Sequence, residues 1–423
     1  MHPERVRARL DRSLTTARCL GDEIADWMRR SHGDRRFLRF TRHFEVLSTV
    51  LSEMLGAVTR ELESVALISA SGDVYQRCGE LDGGLFTIRR LFDWYTAKYD
   101  QRRDPALAGI LACADEVVRS CWRQPFQVLG SEPPTGPLPY VEPRFDAFAT
   151  PRVSVPPDLR LPADALVAEF VERLPIPVVC LPDWTARQAW WLMLAAHETG
   201  HHVHKDLDPA LENATRDALA EATGDETWRR WALESFADAY SVLMIGPAAA
   251  WIVEELGHGP PESLLRARGG YPPLPVRLAL MAEVARQAGL GGAGAPDLAR
   301  AAGALLGLRA RGRSLPELSG LSPGWFAPDG RAQVWARSLT EPDPFLTRLE
   351  EPYSARLLVA AAAAAVTAHR TDPPLVHANL LENLPRCGPP GMLGAAPQGP
   401  RTAELATDLT GRLLGSLGLG SLG

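Results

Sequence analysis

Trp190-Trp191-Leu192-Met193-Leu194-Ala195-Ala196-His197-Glu198-Thr199-Gly200-His201 is the stretch on which the reading of this chain turns. Seven apolar residues lead directly into His-Glu-x-x-His. In a helix, residues four apart share a face, so His197 and His201 present both imidazoles to one point. Glu198 follows the first histidine and can reach a water held at that point without being a ligand. Two neutral imidazoles on Zn2+, with a carboxylate beside the water, are the parts of a zinc hydrolase. The competing interpretation is a surface helix carrying solvated histidines. Against it, the apolar run predicts a buried helix, and a buried His-Glu-His set needs partners. The histidines are also concentrated, since His197, His201, His202 and His204 are four of the ten in the chain.

A catalytic zinc takes three protein ligands and leaves a position for water. His202, His204, Asp206 and Asp208 are the nearest candidates for the third. The metzincin spacing fails, because Leu207 stands where its third histidine would be and His204 where it requires glycine. Further on, Trp231 to Met244 reads as a second, largely buried helix with Glu234 and Asp238 four apart on one face. Glu234 would complete the zinc shell, and Asp238 would accept the free ring N–H of a ligating histidine and fix its tautomer. A plain charge pairing of these carboxylates with Arg229 and Arg230 is the alternative, but unpaired carboxylates in so apolar a helix are costly.

With these residues in place the chain resembles the gluzincins, zinc peptidases with His-Glu-x-x-His on one helix and a glutamate on the next. The matching positions are His197, Glu198 and His201, then Glu234 and Asp238 in Glu-x-x-x-Asp. Within that clan, Glu234, Ala237-Asp238, Tyr240, Leu243-Met244 and Pro247 resemble the second active-site helix of small cytoplasmic regulatory metallopeptidases that act on repressors. The resemblance spans residues 176–280 and is specific in the two helices alone. It implies an α+β zincin-like core and hydrolysis of peptide bonds, with Glu198 as general base. It also implies a histidine or tyrosine beyond the third ligand that stabilises the oxyanion. Tyr271 is the first candidate, with Tyr240, His258 and Arg277 as rivals. A non-catalytic helical scaffold with a structural zinc, closed by His204 or Asp206, is the opposing class.

The remainder of the sequence frames this core. The fold expected is mainly α. Four apolar stripes suggest a helical bundle over 1–124, including Phe37-Phe40-Phe44-Leu47-Leu51-Met54-Val58 and Leu107-Ile110-Ala114-Val117-Cys121. Residues 125–182 are a proline-rich connector with a helix from Ala163 to Leu174 and short strands. One of these, Val178–Leu181, is bracketed by prolines and reads either as an edge strand able to take an extended peptide by strand addition or as a buried connecting strand. Residues 183–290 form the zinc core, ending in a helix at Val276–Gln287, 291–384 a C-terminal helical subdomain with helices at Asp297–Leu306 and Tyr353–His369, and 385–423 a glycine-rich flexible tail.

A net charge of −6 gives no reason to expect nucleic acid or an anionic membrane as partner. Six scattered cysteines without Cys-x-x-Cys, and an N-terminus without a hydrophobic signal region, suggest a reduced cytoplasmic setting. Only two lysines accompany abundant arginine, alanine, glycine and proline, the signature of a GC-rich bacterial genome. The expected partner is a protein or peptide substrate.

Overall fold

The computed structural model describes residues 3–65, 71–142, 148–150, 176–257, 259–368, 372–388 and 400–418. The fold is mainly α, with β structure confined to two small sheets. Among the described residues no helix is long and apolar enough to cross a membrane. The chain divides into two compact units. One comprises Met1–Asp100, Thr150–Pro177 and Gly391–Gly423; the other comprises Gln101–Ala149 and Val178–Pro390.

In the first unit, helices Pro3–His32, Thr41–Val65 and Ser71–Asp100 pack on one another. Their apolar stripes meet inside: Leu47, Leu51, Met54, Val58, Ile88 and Tyr95 are fully buried. The fourth helix is not the segment from Leu107 to Cys121. Its place is taken by Pro400–Ser416, which packs on Thr41–Val65 through buried Ala406, Leu409 and Leu413. The flexible tail expected over 385–423 is thus corrected: its glycines and prolines flank an amphipathic helix with apolar residues three and four apart. Gly84 makes room for this helix, since a Cβ there would lie 2.9 Å from Leu417.

Helix Pro105–Val128 belongs to the second unit and packs against the motif helix. Ile110, Leu111, Cys113, Val118 and Trp122 bury several of its faces, so it is an internal helix rather than one wall of a bundle. Helices Leu274–Gln287, Ala299–Gly307 and Ser354–Thr367 lie close to their expected bounds and fall in this same unit as the motif helix. The helix expected over Ala163–Leu174 and residue His369 lie outside the described residues.

Strands β1 (Leu138–Glu142), β2 (Phe148–Thr150) and β3 (Val178–Pro182) form a sheet of order β1-β3-β2, with β1 and β3 parallel and Leu138 opposite Val178. Of the two readings of Val178–Leu181, the edge strand is overturned and the buried strand holds: β3 is central and wholly buried. Proline is compatible with this position because Pro177 precedes the strand and Pro182 ends it, so no interior ladder donor is lost. The outer side of β1 is occupied by side chains. Gln101 donates to the Val141 carbonyl at 2.7 Å and accepts from its N–H at 2.9 Å, and Arg102 donates to the Pro139 carbonyl at 3.0 Å.

The assignment of the fourth bundle helix is tested by Leu413→Ala. A buried leucine truncated to alanine costs about 2–5 kcal/mol, so urea unfolding of the full chain should shift measurably. A value unchanged from the parent would restore the disordered tail.

Candidate metal centre

Two helices build the centre. The run Ala189–Met193 winds as a 3-10 turn into the motif helix, Leu194–Asp206. The second, Thr227–Ile245, carries Glu234 and Asp238 and ends at Gly246, whose φ of 76° favours glycine. The helices cross closely because Gly200 has no side chain. A Cβ there would sit 3.1 Å from the Tyr240 ring and 3.2 Å from the Ala237 Cα. This contact sets the distance over which His197 and His201 face Glu234.

The neighbouring histidines are spent on scaffolding. A ring nitrogen of His202, Nε2, is 3.0 Å from the Val178 carbonyl, tying the motif helix to β3. His204 pairs through Nε2 with the Thr215 hydroxyl at 2.8 Å and stacks on Phe236 at 4.0 Å between ring centres. Asp208 accepts the Ala210 N–H. The gathered donors are those of His197, His201 and Glu234: one atom from each lies within 4.8 Å of the others, all buried. His197 Nε2 is 3.4 Å from Glu234 Oε2, and His201 Nε2 is 3.5 Å from Glu234 Oε1. The two rings stand perpendicular, 4.9 Å apart.

Each imidazole–carboxylate separation is close to that of two ligands on one ion. Ligand atoms about 2.0–2.1 Å from a tetrahedral centre lie about 3.3 Å from one another. As a hydrogen-bonded group these atoms are poorly satisfied, since Glu234 Oε2 has no well-formed hydrogen bond among the described residues. Two imidazoles and a carboxylate are the donor set that suits zinc.

Behind the donors stands a buried ion pair. Arg277, from the helix Leu274–Gln287, donates from Nε to Asp238 Oδ2 at 2.8 Å and from Nη2 to Oδ1 at 2.7 Å. Asp238 Oδ1 lies 3.1 Å from His197 Nδ1, close in distance although the approach is too bent for a well-formed hydrogen bond. Burial opposes ionisation of Asp238, but Arg277 and His197 outweigh it and hold the carboxyl well below its usual range. Burial likewise opposes a charge on His197, yet Asp238, Glu234 and Glu198 raise its pKa to about 10. For His201 burial prevails and lowers it to about 4, despite the Glu234 charge. The two imidazoles thus differ sharply in their hold on a proton.

Glu198 is buried on the motif helix beside this group. Tyr271 arrives on a tight turn, paired through backbone hydrogen bonds with Arg268 across Gly269-Gly270. The residue is 47% exposed, while partial burial and the charges of Glu234 and Glu198 push its pKa up. Among its rivals, the Tyr240 hydroxyl donates to the Cys121 carbonyl at 2.7 Å, and Arg277 is committed to Asp238. His258 lies outside the described residues. The pairing of Arg277 with Asp238 and the spacing role of Gly200 are what the sequence reading missed. The signal for Gly200 was present, in the small residues Gly200 and Ala237 within the two motifs.

Comparison with protein-family models, with curated proteins and with solved structures finds no match.

For a metal held by these donors, the protonation asymmetry gives uptake a pH dependence of defined sign. A proton held by His197 up to about pH 10 must leave before its nitrogen can ligate, so affinity falls as pH falls. Competition titrations with a chromophoric chelator should give about a tenfold gain in zinc affinity per pH unit between about pH 7 and pH 9. A flat profile would show that His197 is already neutral there.

Proposed function

We propose that this chain is a zinc-dependent metallopeptidase of gluzincin type, with His197, His201 and Glu234 as metal ligands and Asp238 orienting His197. The observation that carries the reading is the convergence of those three buried donors, one atom of each within 4.8 Å of the others, beside a fourth buried acid that is not among them. When bound, zinc supplies Lewis acidity, polarising the scissile carbonyl and bringing the pKa of a bound water down to about 7.

The chain's own groups do the rest. Glu198 takes the proton of the attacking water as its oxygen bonds to the carbonyl carbon. It then returns that proton to the amide nitrogen as the C–N bond breaks. Tyr271 stays protonated because its pKa is raised, so its hydroxyl remains a donor to the oxyanion that develops on the substrate. Against the scaffold alternative, His204 is turned away into its bond with Thr215, and Glu198 would be superfluous in a purely structural clamp.

For the substrate, the first helical unit contributes no grouped metal donors among its described residues. A module without chemistry of its own suits partner binding, which favours a selective intracellular protein substrate over general peptide digestion. Strand addition at Val178–Leu181 is no longer part of this proposal, since that strand is central.

Replacing Glu198 with Gln should leave zinc bound and lower turnover by roughly 10²–10⁴-fold, the span of general acid–base catalysis. Fragment proteomics of cells carrying parent or Glu198→Gln supplies the substrate. A few defined cuts support the selective reading, broad peptide production rejects it, and identical fragment sets reject the peptidase. Tyr271→Phe should reduce kcat by about 10²–10³-fold with KM and zinc content unchanged, as loss of an oxyanion donor does. A wild-type kcat would remove Tyr271 from the mechanism.

A further inference from the structure

We infer that Arg277 is the positioning residue of this centre, acting on His197 through Asp238. The inference rests on the metal-centre assignment above and goes beyond it in naming what holds the orienting carboxylate in place. Asp238 is fully buried and both its oxygens are committed: Oδ2 to Arg277 Nε at 2.8 Å, Oδ1 to Arg277 Nη2 at 2.7 Å. A planar fork gripping both oxygens fixes the plane of the carboxylate as well as its place. Oδ1 is the oxygen that also faces His197 Nδ1, at 3.1 Å. If the carboxylate were free to rotate, that oxygen would leave the ring, and with it the constraint that turns Nε2 toward Glu234.

The same guanidinium reaches Glu234 as well, with Nη2 3.7 Å from Oε2. One side chain from a third helix therefore bears on both the orienter of one candidate ligand and on another ligand. Its own position is set early in that helix, behind Pro272, Pro273 and Pro275. His201 has no equivalent. Neither Nδ1 makes a well-formed hydrogen bond among the described residues, but that of His197 has a carboxylate oxygen 3.1 Å away, and the two imidazoles differ in that contact. A lysine at 277 would keep the charge and lose the fork.

The test uses the full chain loaded with Co2+, read by hyperfine-shifted proton NMR of the ring N–H groups and by cobalt affinity. In the parent, one ring N–H should exchange slowly with solvent, that of His197. In Arg277→Lys it should exchange at least about tenfold faster, with cobalt affinity weakened by roughly 10–100-fold, the range for partners behind a ligating histidine. Asp238→Asn should weaken affinity similarly. The combined Arg277→Gln and Asp238→Asn change leaves no lone buried charge, which guards against simple misfolding. It should bind cobalt no more weakly than Asp238→Asn alone, because Arg277 acts through Asp238. Losses that multiply in the combined variant, or a lysine variant matching the parent in both readouts, overturn the inference while leaving the metallopeptidase reading intact. A parent that binds no cobalt overturns both. A loaded parent that shows the coupling but hydrolyses nothing overturns the peptidase reading alone.

Discussion

The crossing of two helices at Gly200 is the constraint on which the rest of the centre depends. A helix face can bring His197 and His201 together by its own periodicity, but Glu234 comes from a different helix and can meet them only if the two backbones approach. Gly200 over Ala237 and Tyr240 permits that approach, with no room for a Cβ at ordinary contact distance. The remaining contacts orient the pair. His202 fastens the motif helix to β3, and His204 stacks on Phe236, one helical turn from Tyr240 on the second helix. Two histidines adjacent to the candidate ligands thus serve to hold the ligands' backbone.

What was legible in the sequence followed short-range rules. His197, Glu198 and His201 needed only the helical period, and Glu234 with Asp238 needed only an improbable pair of carboxylates in an apolar run. The buried stripes of the first three bundle helices were legible for the same reason. What was not legible depended on partners far along the chain. The stripe from Leu107 to Cys121 fits a bundle or an internal helix equally well until Leu111, Cys113, Val118 and Trp122 are seen to be buried too. The Ala406-Leu409-Leu413 stripe was outweighed by the glycines and prolines on either side of it.

The strand Val178–Pro182 is the most instructive case. Proline inside a ladder marks an edge because it removes a donor, but these prolines stand at the ends of the strand and remove none from its interior. The outer face of β1 is in turn closed by Gln101, whose side-chain amide makes both hydrogen bonds that a neighbouring strand residue would make. On the proposed peptidase reading, a substrate would be recognised through something other than pairing with β3. That moves the question of specificity toward side chains at the rim, where Tyr271 stands half exposed.

The strongest physical argument for chemistry at this site is that folding gains little from it. Glu198, Glu234, Asp238, His197, His201 and Arg277 lie together among apolar residues, and burying such groups costs desolvation that pairing only partly offsets. Well-packed hydrocarbon of equal volume would serve the fold as well or better. The pairing is also incomplete in a particular way. Both oxygens of Asp238 are paired with Arg277, while Glu234 Oε2, the oxygen that faces His197 Nε2, has no well-formed hydrogen bond among the described residues. A cluster kept for rigidity alone would close its own hydrogen bonds. Here the satisfied half anchors and the unsatisfied half faces inward at ligand spacing, the division of labour expected where outer groups hold a donor set for an ion.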